Sequence, residues 1–329
     1  MFSGLVYIEE DILTHPGTLQ ILSKLANPQV VPIKHYKDVF NQAGSDWRLQ
    51  KAAQKIILAS RRSHFYYQGS DITPAFGFKH FYYNTLALNC VYDCDYCYLQ
   101  GMFSSAHLVL FVNNDDFMEQ TKVLLQQLQE PVYLALSYDT DLLAIEHWYP
   151  YCKEWIAFAS EQTNLTIEIR TKSINIKALQ PIKPADNIIL AWTLSPQEVI
   201  NLHEPKTPSA QSRIAAIKKA VEQGWRVRIC FDPILHIPNA EMAYMKLVDE
   251  LASQIQLTSI DSFSLGVFRM NQDFLKRMQH QRKDSALLFH VFEKTDDTVS
   301  YAKDIKKKLI DVVTNRITHH EKRAHIVIL

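Results

Sequence analysis

The chain has 329 residues, of which 47% are hydrophobic and 21% are charged, and 35 Lys and Arg residues balance 35 Asp and Glu residues. This composition excludes a disordered chain and argues against a strongly basic nucleic-acid-binding protein, so any contact with DNA needs a local basic patch. The N-terminus lacks the features of a signal peptide, and no run of about 18 apolar residues predicts a membrane span. Five cysteines, three of them clustered, do not suggest a secreted disulfide framework. We therefore expect a cytoplasmic protein that does not contact a membrane.

The first 80 residues mix short helices with extended segments and predict an N-terminal α/β extension. Within it, residues 49–60 have the apolar spacing of a helix.

From residue 81 onwards, apolar runs of strand length alternate with helical patterns. Six runs predict successive strands, at residues 81–88, 132–137, 165–171, 188–194, 227–231 and 262–267. A shorter run at 108–112 is a candidate for an additional strand. The clearest helical patterns lie at residues 117–129, 213–224 and 242–254. This alternation predicts a parallel sheet, and six units predict a partial (β/α)6 barrel of the TIM type over residues 81–270.

In βα barrels the chemistry takes place at the carboxyl ends of the strands, and polar residues do follow the predicted strands here. These residues are Cys90, Asp139, Thr140, Asp141, Thr171, Lys172, Thr193, Ser195, Asp232 and Arg269. Loops are polar in general, so each residue taken singly also has a plain structural explanation. Lys172, directly after an apolar strand, is the strongest candidate for a functional residue.

Three cysteines, Cys90, Cys94 and Cys97, have the spacing C-x3-C-x2-C. Three thiolates in a short loop can hold three irons of a [4Fe–4S] cluster and leave the fourth iron open for S-adenosylmethionine (SAM). The alternative is a structural zinc site, with a histidine as the fourth ligand. A four-cysteine site would need Cys152 or Cys230, which are lone residues far along the chain.

The segment Cys90 to Gln100, CVYDCDYCYLQ, resembles the C-x3-C-x-Y-C-Y-L-Q motif of the spore photoproduct lyase family of radical SAM enzymes. The resemblance extends over roughly residues 5–270. It includes residues 35–41, the pair Thr171-Lys172, the segment Glu204-Pro205-x-Thr207 with Arg213, and residues 266–269. The resemblance implies a radical SAM lyase that repairs a thymine-dimer lesion in DNA through a 5′-deoxyadenosyl radical. It also implies a [4Fe–4S] cluster, SAM, and an electron donor such as flavodoxin or ferredoxin.

The resemblance also implies roles for single residues. Tyr98, Thr140, Lys172, Thr193 and Asp232 correspond to family positions around SAM, and the two threonines stand where the family has serines. Tyr96 and Tyr98 match two tyrosines proposed to relay a radical. The alternative for both is that they pack against the cluster as apolar cover.

One position departs from the family. Residues 137–141 read Ser-Tyr-Asp-Thr-Asp, where the family has Ser-Cys-x-Ser-Asp, so Tyr138 replaces the cysteine that returns a hydrogen atom to the substrate radical. Cys230 is a candidate replacement donor, because strand alternation places it with Arg226, Arg228 and Asp232. The alternative is that Cys230 is a small buried hydrophobic residue, as we expect for Cys152.

Residues 271–329 predict a C-terminal extension. Residues 287–292 and 298–302 predict a hairpin around residues 295–297, and a basic helix with Lys303, Lys306, Lys307 and Lys308 follows. These lysines either contact DNA phosphates or form a solvated face. The family's hairpin arginine has no counterpart here, and Lys294 is the nearest cation.

Three hypotheses follow. The first is a repair enzyme of the spore photoproduct lyase type, and the second is a radical SAM enzyme of the same family with a different substrate. The third is a non-catalytic nucleic-acid-binding protein with a structural metal–cysteine loop. The sequence leaves the oligomeric state open.

Overall fold

The computed structural model describes residues 4–42, 44, 46–69 and 75–329, which form a mixed α/β fold with a curled half-barrel sheet. The strands are β1 (Leu5–Glu9), β2 (Gln29–Ile33), β3 (Ile56–Ala59), β4 (Tyr67–Gln68), β5 (His80–Tyr83), β6 (Ala87–Leu88), β7 (Leu108–Phe111), β8 (Val132–Leu136), β9 (Leu165–Thr171), β10 (Ile188–Thr193), β11 (Arg226–Ile234), β12 (Ser262–Val267), β13 (Arg269–Asn271), β14 (Glu293–Thr295), β15 (Thr298–Ser300) and β16 (Ile326–Ile328). The helices are α1 (Pro16–Lys24), α2 (Lys37–Phe40), α3 (Trp47–Ala52), α4 (Leu99–Met102), α5 (Asn114–Leu128), α6 (Leu142–Ile145), α7 (Tyr151–Ser160), α8 (Gln197–His203), α9 (Ala210–Glu222), α10 (Ala240–Gln254), α11 (Gln272–Gln281) and α12 (Lys303–His320).

The main sheet has eight strands in the order β16-β12-β11-β10-β9-β8-β5-β4. The strands β5, β8, β9, β10, β11 and β12 are parallel, which confirms the predicted parallel sheet. All residues of β8 and β10 are buried. Strands that are covered on both faces are continuously apolar rather than alternating, and this is why they were recognisable in the sequence. Among the described residues, no helix is both long and apolar enough to span a bilayer.

A second sheet has the order β2-β1-β3-β7-β6 and lies mostly in the N-terminal part of the chain. The predicted helix over residues 49–60 is wrong in its second half, because α3 ends at Ala52 and β3 follows. All four residues of β3 are buried between β1 and β7, and a short apolar run of this kind fits either a helix or a strand until its neighbours are known.

The predicted strand at residues 81–88 divides between the two sheets. Its first part is β5 in the main sheet, and its second part is β6, which pairs antiparallel with β7 in the second sheet. The candidate strand at 108–112 is confirmed as β7. The second sheet therefore takes strands from both sides of residue 80.

The C-terminal region contains a three-stranded antiparallel sheet in the order β13-β15-β14. A hairpin turn forms at the predicted place, with Asp296 at a positive φ of 52°, but its first strand is β14 rather than residues 287–292. A 3-10 helix, Ala286–Phe289, occupies the first half of that stretch instead. The predicted basic helix is α12, and in it Lys307 pairs with Asp311 and Lys308 pairs with Glu241 of α10. The short strand β16 was not predicted, and it extends the main sheet beside β12.

Candidate active site

A cavity of about 530 Å³ lies where the parallel strands end. Residues that directly follow or close β8, β9, β10 and β11 line it, as expected for a βα barrel. The lining includes Cys90, Cys94, Cys97, Tyr96, Tyr98, Thr140, Lys172, Thr193 and Asp232. Of the residues to which the sequence assigns a cluster, SAM or catalytic role, all of which lie in the described part of the chain, Cys230 is the one outside this lining. Asp139 and Ser195, which also follow predicted strands, lie outside it as well.

Hydrogen bonds from side chains and from the main chain hold the loop that carries the three cysteines. Asn89, at a φ of 65°, donates from Nδ2 to the carbonyls of Ser105 and His107, both at 2.7 Å. Gln100 donates from Nε2 to the carbonyl of Cys94 at 2.9 Å, and the amide of Asp95 donates to the carbonyl of His203 at 2.8 Å. The loop is therefore fixed from several sides.

The three cysteines are free thiols. Burial raises the pKa of Cys90 to about 11, and it also raises the pKa of Cys94 and of Cys97. Thiolates at these positions consequently need a compensating positive charge, which iron supplies. Among residues 4–42, 44, 46–69 and 75–329, no three His, Cys, Asp or Glu side chains are grouped to hold a metal ion. The thiols of a [4Fe–4S] site bind different irons and surround the cluster, so three cysteines around one cavity fit this cofactor.

A buried ion-pair network fixes Tyr96. Its hydroxyl donates to Oε1 of Glu204, which also accepts from Ser195 Oγ at 2.8 Å. Arg213 donates from Nη2 to Oε2 of Glu204, and both of these side chains are fully buried. The Glu204 and Arg213 positions of the family-like segment therefore orient Tyr96 at the cavity.

The charge state of Glu204 is set by two competing effects. Burial by itself raises the pKa of the carboxyl group, but the cations of Lys172 and Arg213 outweigh it and hold this pKa at about 2. Burial lowers the pKa of Lys172, but Cys94 and Glu204 outweigh this and raise it. The Lys172 ammonium lies 5.4 Å from the centre of the Tyr96 ring. A half-buried positive charge thus lies beside the cysteine loop, where an anionic group of a ligand would be attracted.

Tyr98 is fixed in a similar way on the other side of the cavity. Its hydroxyl lies 3.0 Å from Oδ1 of Asp139 and donates to the carbonyl of Tyr138 at 2.9 Å. Thr85 donates to the other oxygen of Asp139 at 3.1 Å. Burial and the neighbouring Asp139 raise the pKa of Tyr98 well above its ordinary value, so the phenol keeps its proton at neutral pH.

The hydroxyl of Thr140 has no partner. Its Oγ1 is buried, borders the cavity, and makes no hydrogen bond within the described part of the chain. The adjacent Asp141 instead joins two strand ends, because it accepts from Thr171 Oγ1 and from the amide of Lys172, both at 2.7 Å. A buried hydroxyl without a partner at the cavity wall is suited to a hydrogen bond with a ligand.

Asp232 is engaged by two arginines. Arg269 Nη1 lies 2.8 Å from Oδ1 of Asp232, and Arg170 Nη1 lies 3.3 Å from Oδ2. All three residues line the cavity. The carboxylate is therefore oriented by the protein itself before any ligand is bound.

Cys230 lies in β11, directly opposite Thr193 of β10 and Ser264 of β12. Residues in register on parallel strands share a face, so Cys230 lies on the same face as Thr193, which lines the cavity. The residue is fully buried. Burial raises the pKa of the thiol, so the sulfur carries its hydrogen at neutral pH. Cys152, in α7, is also fully buried, as expected for a packing residue.

Tyr138, which the sequence resemblance places where a cysteine is expected, lines the cavity. Its ring stacks on Tyr83 with centroids 5.6 Å apart. Its hydroxyl is buried and has no hydrogen-bond partner among the described residues.

Arg282 is a site residue that the sequence reasoning missed. It donates from Nη1 to Asp95 at 3.0 Å and also contacts Asp93 and Gln100. Asp95 accepts in addition from Ser285 at 2.9 Å. This C-terminal segment closes over the cysteine loop from nearly 190 positions along the chain. No local sequence pattern predicts a contact between residues so far apart in the chain.

Comparison with known proteins gives consistent matches. A family model described as spore photoproduct lyase matches residues 1–309. A spore photoproduct lyase of Geobacillus sp. (strain Y412MC61) is 27% identical over 258 residues, which are 77% of this chain and 74% of that protein. The spore photoproduct lyase of Bacillus subtilis (strain 168) is 23% identical over 252 residues, 75% of this chain and 72% of that protein.

Solved structures match the fold. A spore photoproduct lyase carrying a cysteine-to-alanine mutation has a TM-score of 0.86 at 20% identity, over 99% of this chain and 98% of that one. A double mutant with bound AdoMet and dinucleoside spore photoproduct has a TM-score of 0.85 at 20% identity, over 98% and 97% of the two chains.

Proposed function

The chain belongs to the spore photoproduct lyase family, and from this premise we propose that it is a radical SAM lyase that repairs the spore photoproduct lesion in DNA. The observation that carries this proposal is the cavity in which three free thiols meet Lys172, Thr140 and Thr193. These residues come from four separate segments of the chain, so their convergence is specific to this fold.

Cys90, Cys94 and Cys97 would hold the [4Fe–4S] cluster, and the bound cluster and SAM supply the 5′-deoxyadenosyl radical. Lys172 offers a cation at the cavity wall for the carboxylate of SAM. Thr140 and Thr193 offer hydroxyl groups, and the Oγ1 of Thr140 has no competing hydrogen bond within the described residues. We assign Asp232 to SAM as well, with Arg269 and Arg170 fixing its orientation.

Tyr96 and Tyr98 are proposed to relay the radical. Each phenol is tied to a carboxylate, Tyr96 to Glu204 and Tyr98 to Asp139, so each hydroxyl has a defined direction. Cys230 is proposed as the hydrogen donor that replaces the family's cysteine. Its protonated thiol lies on the face of the sheet that carries Thr193.

Other features of the proposal follow from the family. DNA is the partner that carries the lesion, and a damaged base costs less to unstack into the cavity than an intact one. An electron donor such as flavodoxin or ferredoxin would reduce the cluster, and the cytoplasm is the expected compartment. We also propose that the six parallel strands form a (β/α)6 unit within residues 81–270. Residues 1–80 would flank it as the N-terminal extension, and residues 271–329 as the C-terminal one.

The test is anaerobic reconstitution with iron and sulfide. The wild-type protein should hold about four irons per chain, and after reduction with dithionite it should convert SAM to 5′-deoxyadenosine. Incubation with dinucleoside spore photoproduct should then break the bond between the bases and restore the two thymine residues. Cys94→Ala is the matched control and should lose both iron and SAM cleavage. A wild-type protein that neither holds the cluster nor cleaves SAM would contradict the proposal and favour a structural role for the cysteine loop.

Tyr138 favours a second candidate, a radical SAM enzyme of this family that acts on a different substrate. An aromatic ring stacked on Tyr83 occupies the place of the family's thiol, so the wall of the cavity differs in both shape and chemistry. SAM cleavage without any conversion of the lesion would support this candidate over the first.

A further inference from the structure

One face of α3, in the N-terminal extension, packs against the cysteine loop. Trp47 and Lys51 are four positions apart and therefore share this face. Both are buried, with 3% and 4% of their surface exposed. The two side chains border a small cleft that Cys90, Cys94 and Cys97 also line. The N-terminal extension thus contributes two side chains to the immediate surroundings of the three thiols.

Both side chains bring hydrogen-bond donors to the loop. Lys51 donates from Nζ to the carbonyl of Cys90, and Gln54, just after the helix, donates to the same carbonyl at 3.1 Å. The indole Nε1 of Trp47 is buried and has no partner among the described residues. A buried N–H without a partner is rare in native proteins, and a group bound in the cleft would supply the acceptor that the described residues lack.

Lys51 forms no salt bridge with the acids of the loop in the described part of the chain, although Asp93 is near enough to attract its charge. Arg282 binds Asp93 and Asp95, and it approaches from the C-terminal segment. Lys206 donates from Nζ to the backbone carbonyl of Lys51 at 3.1 Å and brings a second cation to the same region. Two lysine cations therefore lie on the side of the loop that faces α3.

We propose that Trp47 and Lys51 position the iron–sulfur cluster and set its reduction potential, with the indole N–H bonding to a sulfur and the lysine cation favouring the reduced cluster. This inference rests on the proposed function, because it requires that Cys90, Cys94 and Cys97 hold the cluster. The physical reason is that reduction adds a negative charge, which a nearby cation and an N–H donor stabilise.

The experiment is a redox titration of the reconstituted protein, followed by its electron paramagnetic resonance signal, with iron content measured on the same samples. Lys51→Met removes the charge and keeps most of the apolar stem. We expect the equilibrium constant for one-electron reduction to fall at least about tenfold, because the lysine that donates to the Cys90 carbonyl is a cation close to the cluster. A tenfold change corresponds to about 59 mV towards more negative potential. Lys51→Arg keeps the charge and should keep most of the wild-type potential.

Trp47→Phe removes the N–H and keeps an aromatic ring, so it should lower the same equilibrium constant by about threefold, the effect of one weak hydrogen bond. Lys55→Met is the matched control. Lys55 lies next to Tyr7 of the second sheet, so this variant should leave the potential unchanged. Trp47→Phe and Lys51→Met variants with wild-type potentials would overturn the proposal. If Lys51→Met loses its iron, the other two variants decide. A wild-type potential in Trp47→Phe together with a changed potential in Lys51→Arg would then refute the proposal. Failure of the proposed function appears separately, as a wild-type protein that holds no cluster.

Discussion

The buried carboxylate of Glu204 offers a direct test of how the site is held together. Substituting Glu204→Gln keeps the shape of the side chain and removes its charge. Arg213, which is fully buried, and Lys172 then lose the anion that compensates them. Removing one partner of a buried ion pair leaves an uncompensated charge and is strongly destabilising. We therefore expect the variant to fold less stably and to hold Tyr96 less firmly.

The magnitude follows from the pKa of Glu204, which the surrounding cations hold at about 2 against an ordinary value of 4.5. At about 1.4 kcal/mol for each tenfold change in proton affinity, the charged carboxylate contributes about 3 kcal/mol at neutral pH. Because the pKa is lowered in the folded state, this contribution is present above about pH 4.5 and is lost as the pH falls towards 2. At pH 4 about 1 kcal/mol of it should already be gone.

The assay is urea unfolding of the iron-free protein, followed by circular dichroism at pH 7 and at pH 4. Glu204→Gln should lower the free energy of unfolding by about 3 kcal/mol at pH 7, and the gap to the wild type should narrow at pH 4. Asp249→Asn is the matched control, because it breaks the half-exposed pair with Arg316 and should cost less than about 1 kcal/mol. A Glu204→Gln variant as stable as the wild type at pH 7, or a gap that does not change with pH, would refute the reasoning.

Three further predictions concern the cavity. Lys172→Met should weaken the binding of SAM to the reconstituted protein by roughly 10- to 100-fold, the effect of losing a charged hydrogen bond, and equilibrium dialysis showing an unchanged Kd would exclude this role. Cys230→Ala should still produce 5′-deoxyadenosine but should restore few thymine residues, whereas full restoration would remove Cys230 as the hydrogen donor. Tyr138→Cys should raise the yield of restored thymine residues per 5′-deoxyadenosine, measured by chromatography, because it places a thiol at the cavity wall. An unchanged yield from a folded variant would show that this position does not limit hydrogen return.

Part of the fold was readable from the sequence because its signals are local. The strands β8 and β10 are continuous apolar runs, and such runs arise when both faces of a strand are covered. In β9, β11 and β12 apolar residues alternate with polar ones, which is also a local signal of a strand. The order of strands and helices along the chain then predicted a parallel sheet with polar residues at its carboxyl end. The segment at residues 49–60 shows the limit of this approach, since the strand Ile56–Ala59 is specified by burial between β1 and β7 rather than by its own periodicity.

The candidate site likewise has features that the sequence predicts and features that it does not. The cysteine spacing and the position of Lys172 after its strand are local features, and they were sufficient to predict the chemistry of the cavity. The contacts that hold the cysteine loop were not predictable, because Arg282, Lys51 and Trp47 reach it from distant parts of the chain. Neither a lone arginine nor a Trp-x3-Lys pair carries a recognisable pattern.

The sequence by itself therefore determined the C-x3-C-x2-C spacing, the class of fold and the positions of the residues expected around SAM. Only the tertiary structure decided that Thr140 has a buried hydroxyl without a partner in the described chain, that Asp232 is held by two arginines, and that Cys230 lies outside the cavity lining. The physical reason is that ligand spacing and apolar runs are properties of neighbouring residues. Burial, ion pairing and access to a cavity depend on segments that meet only when the chain has folded.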